Sequence, residues 1–149
     1  MPITEYMTQI IRGLIQNKTA FVLLLGFLFC QAASAKTMLA MINEYRVENN
    51  LAEVVELPAL EPLADVRQSK IKLSFTHTGF FSITNPLRNV GVWYENLAME
   101  GNAIRGKVGV LNAWKKSPPH NANLLSGMQY VFIKKSGKYW VLEGWKPKP

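Results

Sequence analysis

The chain has two histidines, His77 and His120. Each sits among loop-forming residues, in HTGFFSITNPL and SPPHNANLL. Imidazole nitrogens suit Zn²⁺, and a nearby carboxylate can orient the ring or act as base toward a bound water. Glu95, in WYENLA, is the carboxylate considered for that work, so His77 and His120 are candidate metal ligands and Glu95 is the candidate catalytic base. The separation of the two histidines matches no local zinc pattern. The residues alone therefore leave two readings open: one shared site, or two unrelated histidines bonded to their own surroundings. Glu95 and Asn96 are either cavity groups or a turn pair that caps backbone N–H groups. Ser117, His120 and Glu95 can be written as a nucleophilic triad. However, Ser117 ends a helical pattern before Pro118-Pro119, and no strand–Ser–helix elbow surrounds it, so it reads as a cap.

These residues need elements to hold them. Thr37 is a fair N-cap for a helix in which Met38, Leu39, Met41, Ile42, Tyr45 and Val47 form a broad apolar face, with Asn49-Asn50 as its stop. A second helix is predicted from Glu61 to Ser74, with Pro62 in its first turn and Leu63, Val66, Leu73 and the Lys70 stem on one face. From Thr76 to Asn89 periodicity disappears and Gly, Ser, Asn and Pro predict a loop. Val90 to Asn96 suits a short strand or an extended approach to the next turn. Ala103 to Lys116 predicts a helix capped by Asn102, with Ile104, Val108, Leu111 and Trp114 on one face, and two prolines end it. Asn121 to Ser126 is turn-like or a short helical turn. Two branched and aromatic runs, Met128 to Lys134 and Tyr139 to Gly144, flank a Lys-Ser-Gly-Lys turn and predict a hairpin. Apolar residues on both faces of that hairpin fit a sheet covered on both sides. Trp93, Trp114, Tyr130 and Trp140 are the expected structural aromatics. Phe80, Phe81 and Trp145 have a sharper alternative as a carbohydrate or lipid platform. Lys134, Lys135 and Lys138 are a solvated tip, or else a contact for anionic lipid or wall polymer. The order of elements means α+β, with helices covering an antiparallel sheet.

The chain has 149 residues and a formal charge of +7. Ala20 to Cys30 is an apolar run preceded by Arg12 and Lys18 and followed by Ala33-Ser34-Ala35, the pattern of a secretory signal peptide over residues 1–35. The run is short for a membrane span. The alternative is an uncleaved anchor from about Gly13 to Ala33. The long stretch before Arg12 allows Met7 as the start. Phe29 before Cys30 argues against a lipid-modified cysteine. Cleavage between Ala35 and Lys36 would leave 114 residues, a net charge of +6 and no cysteine, hence no thiol nucleophile, no thiolate ligand and no disulfide. Such a chain is expected to be exported, periplasmic or extracellular, and monomeric. Its basic balance points to anionic lipid or envelope polymer rather than nucleic acid.

Two motifs then add a resemblance. Tyr94-Glu95-Asn96-Leu97-Ala98 is similar to the Gly-Glu-Asn-Leu/Ile-Ala signature of the CAP superfamily, the cysteine-rich secretory, antigen 5 and pathogenesis-related 1 proteins, with Tyr94 in place of Gly. Trp114 to Leu125, WKKSPPHNANLL, resembles the bacterial form of its second signature, Trp-x-x-Ser-Pro-Gly-His-x-x-Asn-Ile-Leu, with Pro119 in place of Gly. The opening helix with INEYR, Ile42 to Arg46, fits as well, and the likeness is to the short, cysteine-free bacterial members. It implies one CAP/SCP-like domain over residues 36–149, folded as a three-layer α-β-α sandwich. It also implies a polar cavity holding His77, Glu95 and His120, lined further by Asn96 and Ser117, in which zinc can bind the histidines. The family's usual second acid falls at Ser117, so the tetrad lacks one member; Glu100 and Glu143 are the nearest acids to nominate. The function implied is binding or interaction, with an unknown small molecule, a lipid or a wall polymer as partner. Two alternatives remain: a metal-assisted hydrolase using His77, His120 and Glu95, and a lipid- or wall-binding module.

Overall fold

The computed structural model describes residues 36–149; the signal-peptide segment, its cleavage site and Cys30 lie outside them. Among the described residues no helix is long and apolar enough to cross a membrane. Thr37 caps helix α1 (Met38–Glu48), its hydroxyl accepting from the Ala40 N–H at 3.1 Å. Strand β1 (Val55–Glu56) and a 3-10 turn (Pro58–Leu60) lead into α2 (Glu61–Leu73). Helix α3 (Thr78–Thr84) and a second 3-10 turn (Asn85–Leu87) precede β2 (Gly91–Met99). Helices α4 (Gly106–Lys116) and α5 (Pro118–Leu124) follow, then the hairpin β3 (Tyr130–Ser136) and β4 (Tyr139–Pro147).

The four strands lie in the order β1-β3-β4-β2. The three long ones are antiparallel, as expected, whereas the two-residue β1 adds a parallel edge on β3, with Val55 opposite Tyr130. The hairpin turns at Gly137, whose φ of +57° places it in the left-handed region that glycine occupies without a Cβ penalty.

Alternation along the strands sends side chains to two faces. On one face Ala98, Val131, Trp140 and Leu142 pack with Met38 and Ile42 of α1, Val110, Leu111 and Trp114 of α4, and Leu124 of α5. On the other, Leu97 and Val141 meet Ala64 and Ile71 of α2, with Phe132 and Tyr139 at the margin. The result is three layers, helix–sheet–helix.

Several local expectations change. Helix α2 turns a different side inward: Ala64, Arg67, Gln68 and Ile71 are buried, while Val66 is exposed and Leu73 is 91% exposed. The expected loop from Thr76 to Asn89 contains α3 and a 3-10 turn, because Phe80 and Thr84, four apart, both find burial. Helix α4 starts at Gly106, capped by no side chain, so Asn102 is not its N-cap. Val108 points outward and Val110 takes its place inside; Val47 of α1 is exposed as well. The two prolines end α4 and also begin α5, where the lost N–H groups are ones the first turn leaves unbonded anyway. The tip lysines are tied down: Lys134 pairs with Asp65 and Glu61, and Lys135 with Glu100 at 2.8 Å.

Candidate functional site

Glu95 is near the middle of β2, the edge strand away from β1, and its side chain is 1% exposed. A carboxylate so deep needs partners, since an unpaired buried charge costs several kcal/mol. Arg67 of α2 supplies them. Its Nε donates to Glu95 Oε2, its Nη2 donates to Glu95 Oε1 at 3.1 Å, and Nη2 also donates to the Thr76 carbonyl at 2.7 Å. Gly79 of α3 lies against the same guanidinium, and a Cβ there would overlap Arg67 Nη1. His77, the residue before α3, brings Nδ1 to 2.8 Å from Glu95 Oε1. Both carboxylate oxygens are thus engaged, one by Arg67 alone and one by Arg67 and His77.

His120 arrives from α5. Its ring centre is 5.8 Å from that of His77. The carbonyl of His120 accepts from Asn96 Nδ2 at 3.0 Å, and Asn96 Oδ1 accepts from Asn123 Nδ2 at 2.9 Å. Asn123 Nδ2 also donates to the Glu95 carbonyl at 2.9 Å. An amide relay therefore locks α5 onto β2 and fixes where the His120 ring stands. Burial lowers the His120 pKa below its ordinary value, the charge of His77 lowers it further, and Glu95 opposes both. The ring is held toward its neutral, metal- or proton-accepting form.

His77, Glu95 and His120 line one pocket of about 280 Å³ with Phe80, Phe81, Trp93, Tyr94, Pro119 and Asn123. The three residues expected to share a cavity are thereby brought together. Asn96 and Ser117 are not part of its lining. Asn96 is fully buried beneath it as the relay amide, because its position on β2 sends its side chain to the α4–α5 face. Ser117 joins α4 to α5 and accepts at its carbonyl from the Asn121 N–H at 2.8 Å. Its role is in the backbone, and no triad with His120 and Glu95 forms around it.

The nominated acids separate. Glu100 follows the far end of β2, where it accepts from Trp140 Nε1 at 2.7 Å and pairs with Lys135; these bonds lower its pKa. Glu143 of β4 lies directly across the ladder from Glu95. It is 1% exposed, and no donor reaches either of its oxygens. Burial raises its pKa well above the ordinary carboxyl range, and the neighbouring Glu95 adds to the rise. Glu143 is therefore held toward its protonated form behind the pocket wall. The structural aromatics behave as expected where they are deepest: Trp114 is buried and donates to the Leu97 carbonyl at 2.9 Å, and Trp140 is buried against Glu100. Tyr130 and Trp93 instead flank Trp145, with ring centres at 5.7 Å in each case, and Trp93 also lines the pocket.

Sequence reasoning missed Arg67. The signal was present: Ala64, Arg67, Gln68 and Ile71 follow the helical period, so an arginine falls inside an apolar stripe. Asn123 was legible as the Asn three residues after His120.

The residues fit a metal only in part. Two imidazoles at this separation can share one ion, and the Glu95–His77 hydrogen bond is the carboxylate–histidine arrangement that supports a metal-bound ring. Yet zinc takes three or four protein ligands. Among the described residues no group of three or more His, Cys, Asp or Glu is arranged to hold a metal ion.

No protein-family model matches the sequence, and no curated protein matches it. Solved structures similar to it include a cysteine-rich secretory protein from Staphylococcus aureus subsp. aureus Mu50, with a TM-score of 0.61 and 15% identity over 72% of this chain. This chain spans 37% of that protein's length. An outer surface protein from Borrelia burgdorferi gives a TM-score of 0.60 and 22% identity over 74% of this chain and 90% of its own. At such identities the likeness speaks for architecture, and with the layers and sheet described above the chain has a CAP-like α+β fold.

Proposed function

We propose that this chain is an exported CAP-superfamily binding protein, whose residues 1–35 are a signal peptide and whose His77–His120 pocket receives a small ligand or a weakly held divalent ion. The two signature-like motifs support membership, for they converge on this pocket through Glu95 and His120. The observation that carries a binding role is the state of Glu95. A general base must have an oxygen free to reach the proton it abstracts. Glu95 has both oxygens committed, to Arg67 and to His77. It organises the pocket and orients the His77 ring. Metal-assisted hydrolysis with Glu95 as base is thereby the weaker reading.

What remains available to a ligand is the pair of imidazoles, in a pocket that Phe81 and Trp93 also line. Calorimetric titration of the metal-stripped protein with zinc, alongside His77→Ala and His120→Ala, tests the ion. Saturable one-to-one binding that disappears in both variants is the expected result. Equal, unsaturable heats in all three would discard the ion and leave an organic ligand site. A hydrolytic rate lost in both Glu95→Gln and His77→Ala would overturn the binding role.

A further inference from the structure

The sequence contains no Asp or Glu between Asp65 and Glu95, and none after Glu143. The two acid-free stretches meet in the fold. Gly91 pairs with Pro147 and Val92 with Lys146 across β2 and β4, and the Lys148 N–H donates to the Val90 carbonyl at 3.2 Å. Just before β2, the Val90 N–H donates to the Leu87 carbonyl and Trp93 Nε1 donates to the same oxygen at 3.2 Å. Helix α3, its following turn, the start of β2 and the end of β4 thus form one continuous face.

Its composition is unusual in two respects. Large apolar side chains stand in solvent there: Phe81 is 55% exposed, Val90 and Val92 46% each, and Leu87 39%. Exposed Arg88 and Lys148 border a second cavity, of about 330 Å³, which shares Phe80, Phe81 and Trp93 with the histidine pocket. Arg88 Nε donates to the Asn85 carbonyl at 3.1 Å, which sets its guanidinium at the rim. Lys134 and Lys135 at the hairpin tip are unlike these, since Glu61, Asp65 and Glu100 answer them. Apolar groups projecting beside cations, with no Asp or Glu in either contributing segment, complement a surface that is negative outside and oily beneath.

We propose that the α3–β2 face, with Phe81, Leu87, Val90 and Val92 as the inserting groups and Arg88 and Lys148 as the phosphate contacts, docks this protein on an anionic phospholipid bilayer. The apolar side chains enter the headgroup boundary while the cations meet lipid phosphates. The cavity beside Arg88 and Lys148 opens toward the membrane in that pose. The proposal is independent of any metal in the histidine pocket.

The test is flotation of the full chain with vesicles of phosphatidylglycerol mixed equally with phosphatidylcholine, against vesicles of phosphatidylcholine alone. Residues 1–35 are common to every variant, so differences between variants are what is read. Each cation removed from a membrane contact lowers partitioning about fivefold. Arg88→Gln and Lys148→Gln are each expected to show that loss on anionic vesicles, and Phe81→Ser a loss on anionic vesicles that added salt does not reproduce. Lys138→Gln, at the opposite end of β4, is expected to leave binding unchanged. Three outcomes overturn the proposal. Lys138→Gln could weaken binding as much as Lys148→Gln, which would make the attraction diffuse. Phe81→Ser could leave anionic-vesicle binding intact. Or the variants could equal the parent on vesicles while Arg88→Gln alone weakens retention on a soluble polyanionic glycan such as polygalacturonate, which would assign the face to a polymer.

Discussion

The two faces of the sheet solve the burial problem in opposite ways. On the α1–α4–α5 side the interior is Ile42, Val110, Trp114, Leu124, Val131 and Leu142, closely packed and almost free of charge. On the α2 side a small apolar cluster of Ala64, Ile71, Leu97 and Val141 gives way, two residues along the strands, to Arg67, Glu95 and Glu143. One face spends its volume on apolar contact, which stabilises in proportion to area. The other holds a cation paired with a buried carboxylate, an arrangement that adds little net stability and fixes geometry instead. The pocket is built on the second face, and the amide relay through Asn96 and Asn123 lashes it to the first. A rigid apolar slab thus serves as foundation for a polar site that could not hold its own shape.

The contrast can be broken most forcibly at Arg67. Arg67→Ala leaves Glu95 buried without its cation, and we expect a loss of about 3–5 kcal/mol in urea unfolding. Arg67→Ala combined with Glu95→Gln should recover part of that loss, whereas an apolar core position offers no such rescue. Ile42→Ala on the other face is expected to cost about 2–4 kcal/mol. It should leave the His120 titration, followed by NMR, where it was.

Smaller effects separate the faces by pH. Glu143 has its folded pKa raised above the unfolded value of 4.5, so the folded state holds a proton that the unfolded chain releases. Its contribution to stability is complete below about pH 4.5 and declines as pH climbs toward the folded value. Glu143→Gln keeps the shape and removes that decline. The variant's unfolding midpoint in urea, relative to that of the parent, should be higher near pH 8 than near pH 4. The smallest effect is at His120, whose folded pKa lies below 6.5. Its share of stability is present above pH 6.5 and is lost as pH falls through the folded value. NMR should show it titrating below 6.5, and moving upward in His77→Gln once the electrostatic effect of His77 is gone.

What could be read from the sequence divides along the same line. The apolar face follows local rules: the α1 cap, the Pro-Pro break, the hairpin and Trp114 all declare themselves within a few residues. The polar face does not. Arg67 and Glu95 are 28 positions apart, and Gln68 donates to the carbonyls of Lys134 and Tyr139, 66 and 71 positions away. A polar side chain looks exposed until its distant partner is known, so α2 was expected to bury Val66 and Leu73 in place of Arg67 and Gln68. Helix α3 was hidden for another reason. It is one short amphipathic segment with Gly, Ser and Thr at most positions, and only the floor beneath Phe80 and Thr84 makes it helical. The motif residues His77, Glu95, His120 and Asn123 were visible because of a resemblance; composition alone left the histidines unconnected.

Helix α1 carries one more consequence. Arg46 is buried, and its guanidinium donates to the carbonyls of Ala52, Leu124, Ser126 and Met128. Three of those acceptors are 78 to 82 positions further on, and β1 likewise waits for β3. Contacts so distant in sequence are slow to form, because the intervening loop must close first. During synthesis the Arg46 guanidinium therefore stays without three of its acceptors until residues 124 to 128 have been made.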